Sequence, residues 1–268
     1  MKVGIIGYGS MGSMLTGKFT ASGKLKDGSI LVSNRTKEKL STLPDGALAC
    51  SNNNELAAQA DIIFLCAKPG DMREIIEEIR PVRKQGSMLV SLNGSISFAT
   101  LEKIADGKIA KVIPSVTAEI NRSQTLICYN RHVEKKDKAQ LEYLLACIGE
   151  IIELPEHEMG MGSELVSCMP GFIASMMDVI CHSAEKHTEI LPGQVARMVL
   201  KTMTATGELM LKNNASFEEI ITRVATRGGI TEEGIRVIYE QFPAVADQMF
   251  GKTLEKRKQT AKAAEEMV

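Results

Sequence analysis

Residues 1–12, MKVGIIGYGSMG, decide the fold, because a short apolar run there ends in a Gly-x-Gly-x-x-Gly spacing. The run at residues 3–6 is rich in β-branched side chains, which predicts a buried strand. Apolar residues then recur at helical spacing over residues 11–19. A strand, a glycine turn and a helix in this order are typical of a nucleotide-binding turn.

Each glycine of the turn has a predicted role. Gly7 permits the tight bend, Gly9 lets the backbone approach a pyrophosphate, and Gly12 lets helix and strand pack closely. The N–H groups of the helix start are then available to phosphates. A glycine triplet also occurs by chance in glycine-rich loops, but the flanking strand and helix favour a dinucleotide site. The predicted cofactor-binding residues of this turn are Gly7, Tyr8, Gly9, Ser10, Met11 and Gly12.

The bulk composition favours small-molecule chemistry. Among 268 residues, 32 Lys and Arg face 33 Asp and Glu, a net charge of −1, so no overall field draws nucleic acid or acidic lipid. We find no apolar run of the ~18 residues that a membrane span needs and no signal-peptide pattern, and therefore expect a soluble, cytoplasmic protein without membrane partners. Six cysteines without C-x-x-C spacing predict neither a zinc site nor a disulfide framework, and no metal site is predicted.

The end of the second predicted strand discriminates between cofactors. An NAD site usually places an acidic residue here to hold the ribose 2′-hydroxyl, whereas an Arg suits a 2′-phosphate. The chain reads Ser33-Asn34-Arg35, with no carboxylate until Glu38. We therefore predict NADP, with NAD as a possible second cofactor, and a charge-assisted bond from Arg35 to the phosphate. The alternative is an ordinary solvated Arg before a helix.

Further strands and helices alternate as far as residue 154. Loops that leave the carboxyl ends of parallel strands line the ligand crevice of open α/β sheets. This rule places Lys68 and Pro69, with Ala67 before them, in the cofactor cleft, and Asn93 and Pro114 also follow predicted strands. The alternation predicts an α/β fold, a Rossmann-type doubly wound sheet with right-handed crossovers over residues 1–154.

The pattern changes at residue 155, after which only helical patterns appear. We predict an all-helical domain over residues 155–268. Its segment 164–190 is apolar over much of its surface, is rich in methionine and is interrupted only at Pro170-Gly171, which predicts a homodimer built through this domain. The charged residues 254–268 predict a solvated or frayed helix.

With these elements in place, the chain resembles the pyrroline-5-carboxylate reductase family along essentially its whole length. The motifs that carry the resemblance are Gly-Tyr-Gly-Ser-Met-Gly at 7–12, Ser-Asn-Arg-Thr at 33–36, Ala-Lys-Pro at 67–69, Ile-Pro-Ser at 113–115, Ser-Cys-Met-Pro-Gly-Phe at 167–172 and Thr-Arg-Gly-Gly-Ile-Thr at 226–231. The resemblance implies reduction of the cyclic imine of pyrroline-5-carboxylate to proline with NADPH or NADH, and interlocked dimers of the helical domain. It also places Pro114 beside the nicotinamide.

The 226–231 segment corresponds to that family's substrate loop. If this segment opens a helix, its N–H groups would bind a substrate carboxylate and the Thr231 hydroxyl would hydrogen-bond the ring nitrogen. The resemblance therefore makes Thr231 the predicted catalytic residue. The predicted substrate-binding residues are Gly228, Gly229, Ile230 and Thr231.

The chain departs from the family's usual motifs at several positions. Residues 114–117 read Pro-Ser-Val-Thr where Pro-Asn-Thr-Pro is usual, and residues 167–169 read Ser-Cys-Met in place of Gly-Ser-Gly. Arg227 replaces the loop proline and Ile230 the first loop threonine. These changes resemble a divergent branch that is similar to the late-competence proteins of sporulating bacteria.

Several alternatives stay open at this point. Thr231 also fits a plain helix N-cap, and Arg227 either binds a second carboxylate or faces solvent. A β-hydroxyacid dehydrogenase would need a lysine where the chain has Val166 after Gly160-Met161-Gly162. A non-catalytic NADP-binding regulatory protein of the same fold would also be compatible with the altered substrate motifs.

Overall fold

The computed structural model describes residues 1–267. Eight strands within residues 3–153 form a single sheet. The strands are β1 (Val3–Ile6), β2 (Ile30–Ser33), β3 (Ala47–Ala49), β4 (Ile62–Leu65), β5 (Met88–Ser91), β6 (Lys108–Ile113), β7 (Ser123–Tyr129) and β8 (Gly149–Glu153). Their order across the sheet is β3-β2-β1-β4-β5-β6-β7-β8. The order turns back at β1, so the crevice between the β1 and β4 ends is the place where such sheets bind ligands.

Five helices accompany the sheet, and its last two strands, β7 and β8, run opposite to the other six. The helices are α1 (Ser10–Ala21), α2 (Asn53–Ala57), α3 (Met72–Ile79), α4 (Phe98–Ile104) and α5 (Lys135–Leu145). The predicted α/β doubly wound fold is confirmed, except that β7 pairs with β6 antiparallel. Residues 114–122 hold only a short 3-10 turn, Val116–Ile120, between these strands. A parallel return needs a crossover of about a dozen residues or more, so this link reverses the strand instead.

Hydrophobic side chains cover both faces of the sheet. On one face α1 and α5 pack through residues such as Leu15, Phe19 and Leu141. On the other face the core includes Leu56, Ile76 and, from the far end of the chain, Ala264. A sheet that is apolar on both faces is the expected consequence of strands such as β4, whose four residues are all buried.

The remaining helices are α6 (Met159–Ser163), α7 (Met169–Ala184), α8 (Pro192–Asn213), α9 (Phe217–Val224) and α10 (Ile230–Met267). One turn of π-helix, Glu164–Cys168, joins α6 to α7. The expected interruption at Pro170-Gly171 is therefore wrong. Proline is tolerated in the first turn of a helix, where its missing N–H is not needed.

Because Pro170 does not interrupt it, the helical stretch Glu156–His187 is continuous over 32 residues. An 18-residue window within it has a mean hydropathy of 1.5, and 6% of that window is buried, so by length and composition this one stretch could cross a membrane. This finding contradicts the sequence expectation that no run was long and apolar enough.

The chain forms two compact units, which we call the first unit (residues 1–168 with the C-terminal segment from 254) and the second unit (169–253). The predicted division at residue 154 concerned domains, and it stays a prediction. The C-terminal segment is helical and largely exposed, as the solvated alternative predicted, but it is not frayed. Its Ala264 is only 2% exposed in the core of the first unit.

A buried ion pair holds the C-terminal segment to the first unit. Arg257 donates to Glu164 Oε1 from Nε at 3.0 Å and from Nη2 at 2.7 Å, and to Ser163 Oγ at 3.1 Å. The Glu164 side chain is only 1% exposed. Toward the end of the helix, Ser97 Oγ donates to Glu265 Oε1 at 3.2 Å. Two of the charged residues that suggested a solvated helix, Arg257 and Glu265, therefore bind other parts of the first unit.

The second unit buries little of its own apolar surface. Among its residues, all of which the structure describes, Cys181 and Val195 are the hydrophobic side chains that are buried. Large apolar side chains on its helices are exposed, for example Leu211 at 85% and Phe217 at 77%. Large apolar side chains exposed together on several helices mark an interaction surface.

Candidate cofactor site

The glycine turn has the backbone geometry that each glycine was predicted to supply. Gly7 has φ +98°, and a Cβ on it would lie 2.6 Å from the Cys66 carbonyl oxygen. A Cβ on Gly12 would lie 2.0 Å from the Gly7 oxygen, so this helix and strand approach too closely for any side chain. A Cβ on Gly9 would meet nothing within 4 Å, which leaves open space against the backbone there.

The N-terminus of α1 has free N–H groups that can bind an anion. No side chain caps it, and no acidic residue lies in its first turn. The first N–H groups of a helix have no intrahelical acceptor and carry the positive end of the helix dipole. Ser10, Met11 and Gly12 occupy this turn, so they lie where their predicted role requires.

Asn34 fixes the loop after β2 against the glycine turn. Its Oδ1 accepts from the Tyr8 N–H at 2.9 Å, and its Nδ2 donates to the Thr36 carbonyl at 2.9 Å. Ser33 is buried and donates to Asn53 Oδ1 at 2.7 Å. The next side chain, Arg35, is 90% exposed and lies beside this ordered frame.

A cavity of about 510 Å³ lies at the carboxyl ends of β1, β2 and β4. Among the predicted residues it is lined by Gly7, Gly9, Asn34, Arg35, Ala67 and Lys68. This volume is within the range of small-molecule and cofactor sites. The cavity, the open face at Gly9 and the uncapped helix start fit a dinucleotide.

The other predicted cofactor residues do not line this cavity. Tyr8 turns inward, and its hydroxyl donates to the Thr42 carbonyl at 3.3 Å. Asn93 forms a tight turn after β5, where its Oδ1 accepts from the Ser95 N–H at 3.0 Å. Pro114 is buried at the end of β6. The residues outside the lining are Tyr8, Ser10, Met11, Gly12, Ser33, Pro69, Asn93 and Pro114.

The structure adds cavity residues that the sequence reasoning missed. They come from the ends of β1 and β4, from the segments after β2 and β3, and from α3 with the turn before it, and they are Ile6, Thr36, Lys37, Lys39, Ser51, Asn52, Asn53, Cys66, Asp71, Glu74, Ile75 and Glu78. Lys37 Nζ donates to the Ser51 carbonyl and so joins the loops after β2 and β3. The rule that strand ends meet at one edge would have found residues 51–53, had it been applied to the short strand β3.

The cavity is lined by both positive and negative side chains. Its cations are Arg35, Lys37, Lys39 and Lys68, and its carboxylates are Asp71, Glu74 and Glu78. The first three cations belong to the loop after β2, where a 2′-phosphate was predicted to bind. Burial raises the pKa of the Cys66 thiol, which also lines the cavity, to about 12. A thiol with so high a pKa stays neutral and is a poor nucleophile.

The predicted substrate loop lies in the second unit and is arranged differently from the prediction. The Gly228 N–H donates to Glu232 Oε2 at 2.6 Å, and the Gly229 N–H donates to the Thr226 carbonyl at 2.8 Å. These two amides are therefore already engaged within the loop. Ile230 and Thr231 occupy the first turn of α10, where N–H groups lack intrahelical acceptors.

Thr231 is exposed and lies one residue inside α10 rather than before it. This position is unlike that of an N-cap, which precedes the helix. Gly228 has φ +73°, a conformation that favours glycine, and a Cβ on Gly229 would lie 2.4 Å from Thr226 Oγ1. The Arg227 side chain is exposed.

Comparison with known proteins gives two family matches. Residues 2–94 match the model of the family described as NADP oxidoreductase, coenzyme F420-dependent. Residues 156–260 match the model described as pyrroline-5-carboxylate reductase dimerisation. The resemblance drawn from the motifs is thereby confirmed. At the level of the matched families, the predictions of an NAD(P)H-dependent oxidoreductase and of an NADP cofactor are also confirmed.

Individual relatives agree with these matches. Pyrroline-5-carboxylate reductase 3 from Bacillus subtilis is 29% identical over 258 residues, 95% of each chain. ComE operon protein 4 from the same organism is 23% identical over 256 residues, 94% of each chain. The match to the latter agrees with the predicted similarity to late-competence proteins.

Solved structures confirm the fold. A pyrroline-5-carboxylate reductase from Coxiella burnetii has a TM-score of 0.86 at 22% identity, over 98% of both chains. The Plasmodium falciparum pyrroline carboxylate reductase, solved with NADP bound, has a TM-score of 0.84 at 21% identity, over 99% of this chain and 98% of that chain. At these identities the likeness establishes the architecture alone.

Proposed function

We propose that this chain, which is similar over 95% of its length to pyrroline-5-carboxylate reductase 3 from Bacillus subtilis, reduces the C=N bond of a cyclic imine that carries a carboxylate. Pyrroline-5-carboxylate, which would give proline, is the first candidate substrate. The observation that carries the proposal is the match of residues 156–260 to the dimerisation domain of those reductases. NADPH, when bound, supplies the hydride for such a reduction.

The first unit would hold the cofactor. We assign the pyrophosphate to the open backbone at Gly9 and the first turn of α1, because this is where the fold offers N–H donors and no side chain. Arg35 would bind the 2′-phosphate through a charge-assisted hydrogen bond. Lys68, exposed at the rim of the cavity, would add positive charge near the phosphates.

The second unit would contribute the substrate loop. Because Gly228 and Gly229 are engaged within the loop, the amides left for a carboxylate are those of Ile230 and Thr231. The Thr231 hydroxyl would hydrogen-bond the imine nitrogen as the hydride arrives. A protonated imine is already a good hydride acceptor, so this chemistry needs orientation and polarity rather than a strong base.

A homodimer is part of the proposal. The exposed apolar helices of the second unit support it, since these faces need a covering partner. A second copy also accounts for the apolar stretch Glu156–His187 without a membrane, because this stretch lies entirely within the region that matches the dimerisation domain. A cytoplasmic location and the absence of membrane and nucleic-acid partners remain predictions.

The decisive experiment measures NADPH oxidation at 340 nm with pyrroline-5-carboxylate and identifies proline as the product. Thr231→Val should lower kcat/KM ten- to a hundredfold, the worth of about one or two hydrogen bonds, with little change in Tm. Thr222→Val, an exposed threonine on α9, is the matched control and should keep normal turnover.

Two other outcomes would count against the proposal. NADPH binding without oxidation by any cyclic imine would favour the non-catalytic regulatory protein. A Thr231→Val variant that loses about 0.5–2 kcal/mol of stability but retains full kcat/KM would give Thr231 a structural role in the first turn of α10 rather than a catalytic one.

A further inference from the structure

Arg35 has a partner in the structure that lies across the cofactor cavity. Its Nη1 is 3.7 Å from Asp71 Oδ1, and the two side chains are 90% and 39% exposed. Both residues line the same cavity as Gly7 and Gly9. The guanidinium that was predicted to bind a 2′-phosphate therefore already faces a carboxylate.

The topology shows that this ion pair spans the crevice. Arg35 follows β2, and Asp71 ends the 3-10 turn Pro69–Asp71 that follows β4. β1 lies between these two strands in the sheet. Strands are spaced by about 4.8 Å, so the pair connects positions about 10 Å apart and passes over the β1 end with its glycine turn.

The Asp71 carboxylate is not needed for local structure. Asp71 precedes α3 at the N-cap position, yet its side chain makes no capping hydrogen bond. Its backbone N–H donates to the Lys68 carbonyl at 3.0 Å and holds the turn without the side chain. The carboxylate is therefore positioned to act on Arg35 rather than on the turn.

We propose that Asp71 is a specificity-determining residue, which competes with the ribose 2′-phosphate for Arg35 and so limits the preference for NADPH over NADH. This inference rests on the proposed function, since it assumes that the cavity binds a nicotinamide dinucleotide. Carboxylate and phosphate are alternative bidentate partners of a guanidinium, so binding of one releases the other. NADH has no 2′-phosphate and gains nothing from breaking the pair.

The expected size of the effect is modest. An exposed ion pair is worth little, and its loss corresponds to a change in affinity of up to about fivefold. Asp71→Asn should therefore raise NADP⁺ affinity about two- to fivefold and leave NAD⁺ affinity unchanged within about 1.5-fold. The gain should shrink as salt is raised from 50 to 500 mM, because screening weakens the exposed pair in the unmodified protein.

The test is calorimetric titration of NADP⁺ and NAD⁺ into the full-length protein and three variants: Asp71→Asn, Arg35→Gln and the double variant. If Asp71 acts through Arg35, the gain for NADP⁺ disappears in the Arg35→Gln background. Glu74→Gln, which removes another carboxylate that lines the cavity, is the matched control for charge. It should change the NADP⁺/NAD⁺ affinity ratio less than Asp71→Asn does.

The outcomes separate this inference from the proposed function. An Asp71→Asn variant with an unchanged affinity ratio would overturn the role of Asp71 while NADP⁺ binding still stands. A gain that persists without Arg35 would overturn the competition and indicate simple repulsion of the phosphate by Asp71. A protein that binds neither dinucleotide would overturn both proposals.

Discussion

We expect a large loss of stability when the contact between Arg257 and Glu164 is broken. Arg257→Leu keeps much of the aliphatic stem but removes the four donated hydrogen bonds, two to Glu164 Oε1, one to Ser163 Oγ and one to Cys168 Sγ. The Glu164 side chain, at 1% exposure, then remains as a buried carboxylate without its cation. Removing one partner of a buried pair typically costs about 3–5 kcal/mol.

This loss is large against the total stability of a protein, about 5–15 kcal/mol. For a chain of this size we expect Tm to fall by about 6–20 °C. The assay is urea unfolding followed by circular dichroism, at a fixed protein concentration because a dimer links stability to concentration. Arg236→Leu, which breaks the exposed pair with Glu233, is the control and should change stability by less than about 1 kcal/mol.

The double variant Glu164→Leu with Arg257→Leu tests the cause. If the uncompensated buried charge is responsible, removing both charges should restore most of the stability that the single variant loses. An Arg257→Leu variant that loses less than about 1 kcal/mol would refute the reasoning. A double variant no more stable than Arg257→Leu would show that packing, not charge, holds the C-terminal segment.

Three further predictions concern the cofactor, the assembly and pH. Arg35→Glu should weaken NADPH binding by about 1.5–3 kcal/mol and NADH binding much less, measured by fluorescence titration; equal losses for both would contradict a phosphate contact. Light scattering at micromolar concentration should give twice the chain mass, and a stable monomer would remove the argument from the exposed helices of the second unit. Burial raises the pKa of the Cys128 thiol from 9.0 to about 11, so the folded state keeps this proton longer than the unfolded state. The resulting stability is present below about pH 9 and is lost as pH rises toward 11, by about 2–3 kcal/mol. Cys128→Ala should flatten this part of the stability curve, and an unchanged slope would be the contrary result.

The alternation of strands and helices was predictable because each buried strand has its own apolar signal. β4, for example, is the wholly apolar run Ile-Ile-Phe-Leu, which can be recognised without knowing its partner strands. The direction of β7 was not predictable in this way. Both directions give the same apolar pattern, and only the short link over residues 114–122 distinguishes them.

Part of the candidate site was also predictable. Gly7 and Gly12 are required by backbone geometry that a sequence motif records directly, and Arg35 follows its strand by a fixed spacing. The ion pair of Arg35 with Asp71 joins residues far apart in the chain, and the engagement of Gly228 by Glu232 depends on one side-chain conformation. Neither leaves a periodic signal.

The C-terminal helix was misjudged for a related reason. Charged residues over 254–267 suggest a solvated surface, and a periodicity argument cannot show that Arg257 meets a buried carboxylate 93 residues earlier. Buried ion pairs are invisible to patterns based on hydrophobicity, because both partners score as surface residues.

The attachment of the C-terminal segment to the first unit also bears on how the chain acquires its structure during synthesis. Proteins are made from the N-terminus, and an early domain usually folds before later residues emerge. Here Ala264 fills part of the core and Arg257 neutralises Glu164, so the first unit stays incomplete until residues 257–264 have left the ribosome. Until then, part of the apolar surface of the first unit is uncovered, and the Glu164 carboxylate lacks its counter-ion. A fragment that stops at residue 168 would retain both defects permanently, and so would a nascent chain stalled before residue 257.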